Sequence, residues 1–329
     1  ILSRVLVDSL GAREQDSLLI ISDTGWEGKR CAPLLTKAYV EAAKQLSITP
    51  LVVLQSPKSS SETANSDVVE SLNTFTTPGI VIALLSNKLG DLRGLTHSYR
   101  KLLTARKQRY ATTPSLGFLP TEKFSLLVDA LNVDIVELRK RHFALRERLM
   151  TAHDIHVTTP AGTDFHITEL GIPISSDGDY RTPGTGGNLP AGEVFVPVEN
   201  CNGVLVIDGS VRTEKDTYLS TKAVLIVENG VVVHVEGERE AMALLVSIEH
   251  AKQRSEYPER VSRVCEFGIG LNHNAVITGT TILDEKALGT AHIAIGSNYW
   301  FGGKNKTIIH YDQVFRDPTI IVDGEKIEW

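Results

Sequence analysis

The chain has 329 residues, 42% hydrophobic and 22% charged, which is enough for two soluble domains with separate cores. A net charge of −6 and a pI near 6.0 argue against nucleic acid or an anionic membrane as partner. The longest apolar run, Ile80–Leu85, is too short to span a bilayer, and three cysteines (Cys31, Cys201, Cys265) are too few and too scattered for a disulfide framework or a zinc ribbon.

Helix-like and strand-like segments alternate through the first part. Ile1–Leu10 reads as a helix, Ser17–Ser22 as a buried strand, Ala32–Gln45 as a helix and Pro50–Leu54 as a strand. Ser66–Phe75 is helical and Gly79–Leu85 is another buried strand. Continuous apolar strands between helices imply a parallel sheet covered on both faces. The helical pattern from Glu122 to Leu149 marks a hinge region, and its basic residues, Arg139 to Arg148, alternate with apolar ones as on a solvated helix face. The Gly-rich stretch Asp177–Asn188 reads as a loop; it lacks the Lys-Ser/Thr that a phosphate-binding loop requires. After His153 strands and turns dominate, with Asn229-Gly230 between two apolar runs as a hairpin signal and a helix over Glu238–Gln253. The expected fold is an α/β N-terminal domain (residues 1–150) with a mostly parallel sheet, then a strand-rich α+β domain (151–329). Ile1–Leu10 lacks a basic start and a cleavage site, so the expected location is cytoplasmic.

Chemistry concentrates in the last third. His310 and Asp312 are two apart on a strand-like segment and project from one face, with Ile309 and Tyr311 on the other. His292 alternates with Ile293 and Ile295. Glu266 lies in the apolar, Gly-rich V-C-E-F-G-I-G-L-N, where a buried carboxylate needs a cation; Arg263 is the simple alternative to a metal. Glu193 opens a short strand, where an isolated Glu is ordinarily exposed, and Glu285 reads as a surface or outlying carboxylate. Asp164 and His166 share a strand face and read as a structural pair. No G-x-S-x-G elbow supports covalent hydrolysis.

Taken in order, A-G-T-D-F-H, L-P-A-G-E-V-F, C-E-F-G-I-G-L-N, L-D-E-K-A-L-G-T-A-H-I-A-I-G-S-N-Y and I-I-H-Y-D-Q-V resemble the aminopeptidase T / aminopeptidase S family of metallopeptidases. The resemblance implies two divalent ions (Zn, Co or Mn) held by Glu193, Glu266, His292, Tyr299, His310 and Asp312. It implies a hydrolase in which a metal-activated water attacks a small peptide or amide, with Glu193 or Glu266 as base and Tyr299 as ligand or oxyanion donor. It also implies a homodimer. The same superfamily includes the 2,5-dihydroxypyridine 5,6-dioxygenases, ring-cleaving enzymes with one Fe(II) on two His and an Asp. One of those His falls on Glu266, and the dioxygenase lacks a Glu at position 193. Because both carboxylates are present here, the metallo-aminopeptidase is the leading expectation and the dioxygenase the alternative.

Overall fold

The computed structural model describes residues 1–59, 61–76, 78–93, 95 and 98–329. The chain divides into two units, Ile1–Ile135 with Gly178–Ala191, and Val136–Asp177 with Gly192–Trp329. Compared with the expected boundary at 150/151, the helix after Ile135 falls in the second unit and a short piece of the following chain returns to the first.

In the first unit the elements are α1 (Leu2–Asp8), β1 (Ser17–Asp23), α2 (Cys31–Gln45), β2 (Leu51–Gln55), α3 (Ser66–Thr74), β3 (Gly79–Leu84), α4 (Tyr99–Ala105), β4 (Arg109–Thr113) and α5 (Phe124–Leu131). Strands β1 and β3 are buried along nearly their whole length, as unbroken apolar runs require between two layers of helix. With α6 (Ile135–Met150) the chain enters the second unit, followed by β5 (Ile155–Thr158), β6 (Asp164–Leu170) and β7 (Ile174–Ser176). It then adds β8 (Gly186–Asn188) to the first unit's sheet, whose order is β2-β1-β3-β4-β8 with every pairing parallel. The stretch read as a loop, Asp177–Asn188, therefore ends in a strand. Two glycines and an asparagine carry no strand signal of their own, and pairing with β4 imposes it.

The second unit continues with β9 (Glu193–Ile207), β10 (Ser210–Arg212), β11 (Thr217–Leu219), β12 (Ala223–Glu228), β13 (Val231–Gly237), α7 (Arg239–Arg254), β14 (Val264–Gly270), α8 (Thr281–Asp284), β15 (Thr290–Gly296), β16 (His310–Arg316), β17 (Thr319–Val322) and β18 (Glu325–Lys326). Asn229 and Gly230 both have positive φ, +50° and +75°, so β12 and β13 are joined by the two-residue turn that the Asn-Gly pair favours. The part of the sheet that matters for function runs β16-β15-β14-β9, all antiparallel. Period-two alternation sorts its residues. Phe267, Ile269, Ala291, Ile293, Ile295 and Phe315 are buried on one face as core, while Glu266, Gly268, His292, Ala294, His310 and Asp312 line the other. The architecture is the expected one, an α/β unit with a parallel sheet and a strand-rich antiparallel unit.

Candidate metal centre

Register brings the polar residues together. Glu266 of β14 is level with Ala294 of β15, which is level with Asp312 of β16; His292 is level with Gly268 and Val314. Glu193 enters at the first residue of β9, beside Gly270. Gly268 is what lets the imidazole lie flat on the sheet, because a Cβ there would overlap the His292 Cε1 and Nε2 atoms. The F-G-I-G segment is thus a floor cleared of side chains beneath a cluster of ligands.

Glu266 is the hub. Its Oε1 is 3.2 Å from His292 Nε2, and its Oε2 is 3.4 Å from His310 Nε2. His310 Nε2 also lies 3.2 Å from Asp312 Oδ1, and His292 Nε2 lies 3.6 Å from Glu193 Oε2. Two groups with donor atoms within 4.8 Å of one another result, Glu193–Glu266–His292 and Glu266–His310–Asp312, sharing Glu266. His310 Nδ1 donates to the Ser297 carbonyl at 2.9 Å, which leaves Nε2 facing the carboxylates. His292 Nδ1 is buried with no hydrogen-bond partner among the described residues.

Charges shift one another strongly here. Burial alone would lower the His292 imidazole, but the Glu266 hydrogen bond and the neighbouring carboxylates raise it to about 9. Burial raises the Glu266 carboxyl, against the pull of both histidines. Asp312 goes the other way: His310, His292 and Lys286 outweigh its burial and hold it below the usual carboxylate range.

Five of the six expected residues converge: Glu193, Glu266, His292, His310 and Asp312. Tyr299 is the sixth. It sits in a short 3-10 turn, 61% exposed, with the Lys306 ammonium over its ring. Glu193 is buried rather than exposed, and Glu285 is buried rather than on the surface. Both owe this to Lys286, a residue the sequence reading passed over. Lys286 is fully buried and its ammonium bonds Glu193 Oε1 and, at 2.7 Å, Glu285 Oε1. Asp284 anchors this segment by accepting the Thr278 and Gly279 amides at 2.6 and 3.1 Å. The available signal was the D-E-K run just before the His292 strand, where a lysine is held next to buried apolar residues. His142 of α6, with neither ring nitrogen partnered among the described residues, also feels the Lys286 charge, and burial lowers its imidazole to about 3.

A separate group lies on the exposed face of β5 and β6. His156 bonds Asp164 at 2.8 Å and His166 faces Asp154 at 3.4 Å, while the two imidazoles stack 4.0 Å apart across the strands. Asp164 and His166 thus each pair with a residue outside their own strand.

Beside His310 stands an aromatic wall. Trp300 and Phe301 each have ring centroids 6.0 Å from the imidazole, and Phe195 packs on Phe301 at 5.4 Å. A cluster of oxygen and nitrogen donors next to flat apolar surface suits a divalent ion and a planar ligand.

A curated 2,5-dihydroxypyridine 5,6-dioxygenase of Pseudomonas putida is 28% identical over 202 residues, which is 57% of this chain and only 56% of that protein's length. The solved structure of the Pseudomonas putida 2,5-dihydroxypyridine dioxygenase superposes with a TM-score of 0.74 at 19% identity, covering 99% of this chain and 93% of that one. AmpT of Thermus thermophilus shares the fold at a TM-score of 0.66 and 16% identity, covering 99% and 95%. The model of the NicX, or 2,5-dihydroxypyridine 5,6-dioxygenase, family matches residues 32–328. These findings overturn the aminopeptidase T / aminopeptidase S assignment, and with it the hydrolase, the protease and the peptide or amide substrate. The ligand types that suggested that family occur in a fold common to both groups, and residue types alone do not report on what a site binds. The chain, with its candidate metal centre, belongs to the 2,5-dihydroxypyridine 5,6-dioxygenase family.

Proposed function

We propose that this chain is a ring-cleaving dioxygenase that uses Fe(II) to add both atoms of O2 across one bond of a hydroxylated, nitrogen-containing aromatic ring, 2,5-dihydroxypyridine being the first substrate to test. The observation that carries the reading is the family match over residues 32–328, which takes in every strand of the donor cluster.

The residues fit such an ion. Glu266, His310 and Asp312 present a mixed oxygen and nitrogen set from the two strands that flank β15, and the Ser297 carbonyl fixes the His310 tautomer with Nε2 towards the set. Glu266 makes the set richer in carboxylate than two histidines and an aspartate, with His292 bonded to its other oxygen. Bound there, Fe(II) would activate O2 and offer open positions to a ring hydroxyl, while the substrate ring itself supplies the electrons that reduce O2. The protein contributes the rest. Trp300 and Phe301 offer ring faces and edges against which a planar substrate stacks, beside His310. Glu266 and His292 hold a proton between them in a buried hydrogen bond beside the site. Ala294, level with both Glu266 and Asp312, places only a methyl group between them.

The test is oxygen uptake after anaerobic loading with Fe(II). Consumption of one O2 per 2,5-dihydroxypyridine, with loss of the ring's ultraviolet absorbance, is expected. Iron-loaded protein that consumes no O2 with any of a panel of hydroxylated pyridines would refute the assignment.

A further inference from the structure

The cluster offers enough ligands for two ions, yet one of its carboxylates already has a cation. Lys286 is fully buried, and its ammonium bonds Glu193 through Oε1, the oxygen turned away from His292. The same ammonium bonds Glu285, so both of its ion-pair partners among the described residues are carboxylates. Any second metal on Glu193 Oε2 would sit one carboxylate away from this fixed positive charge, with little water to screen it.

We propose that Lys286 is a positioning residue that takes the place of a second metal: it holds Glu193 as an ion-pair partner and so limits the site to one divalent ion on Glu266, His310 and Asp312. The inference takes the identity of the ion from the dioxygenase reading, whereas the ion count stands or falls separately.

The deciding measurement is stoichiometry. Chelator-stripped protein titrated with Co(II), followed by calorimetry and by elemental analysis after gel filtration, is expected to take up about one ion per chain. Lys286→Met leaves Glu193 and Glu285 without their cation, so the variant is expected to bind about two Co(II) and to gain much more thermal stability from Co(II) than the parent does. Glu193→Gln is expected to keep one ion with affinity within about threefold of the parent, because Glu193 is not a ligand. Two ions in the parent, or one ion in a folded Lys286→Met variant, would overturn the proposal. Should Lys286→Met fail to fold, loss of the ion in Glu193→Gln would overturn it equally, and retention would support it. None of these readouts depends on turnover, so a failure of ring cleavage leaves the ion count to be judged by itself.

Discussion

Gly268 shows how much of the centre depends on what is absent from a side chain. The His292 ring occupies the volume a Cβ would need, so Gly268→Ala must move the imidazole or bend β14. A cost of about 1–3 kcal/mol is expected, as for other overpacked interiors, together with weaker metal binding because Glu266 loses its His292 hydrogen bond. Thermal denaturation and Co(II) titration of this one variant check both, and parent-like values would show that the ring does not depend on the glycine. The residues that converge were largely legible in the sequence. His310 and Asp312 follow from strand phase, and Glu266 stood out as a carboxylate among apolar residues. Lys286 was not legible, since a lysine beside a glutamate ordinarily reads as two solvated charges and nothing local tells that Glu193, 93 positions away, closes on it.

At the level of elements, legibility followed periodicity. Unbroken apolar runs gave β1 and β3 within a residue or two, and the Asn229-Gly230 turn gave the β12–β13 hairpin. The Glu122–Leu149 pattern resolves into two helices, α5 and α6, because Asn132 to Asp134 break the repeat. Helix α4 and strand β4 escaped notice. Arg109–Thr113 is short and ends in threonines that satisfy their hydroxyls on Asn188 and Leu189, so its burial depends on partners far along the chain rather than on its own hydrophobicity. The family was misjudged for a related reason: the motif-bearing strands β9, β14, β15 and β16 belong to a scaffold that AmpT also has, and a shared scaffold carries no statement about chemistry.

For the whole molecule, one expectation can be put to measurement. Apolar side chains remain exposed on α7 and the strands before it, Val246 at 64%, Leu219 at 54%, Val233 at 52% and Met242 at 50%. We propose a homodimer, as the sequence suggested, with an interface above ~1,000 Å²; light scattering should give twice the 36.0 kDa chain mass, and the single-chain mass at micromolar concentration would exclude it. Among the described residues no helix is long and apolar enough to cross a membrane.

Strand β9 has one more consequence. Its first residues, from Glu193, pair with β14 and β7, and its later ones, to Ile207, pair with β6 and β12. One continuous backbone therefore belongs to both halves of the second unit's sheet, and neither half can open while the other keeps its ladder intact. Loops around the cluster are free to breathe, but the strands that carry it should exchange their amide hydrogens only through a global event. Hydrogen exchange followed by mass spectrometry should then report one common opening energy for peptides covering Val194–Val196 and Val204–Val206. Separate energies would mean that the strand hinges in the middle, and that the centre can be dismantled without unfolding the hairpin end.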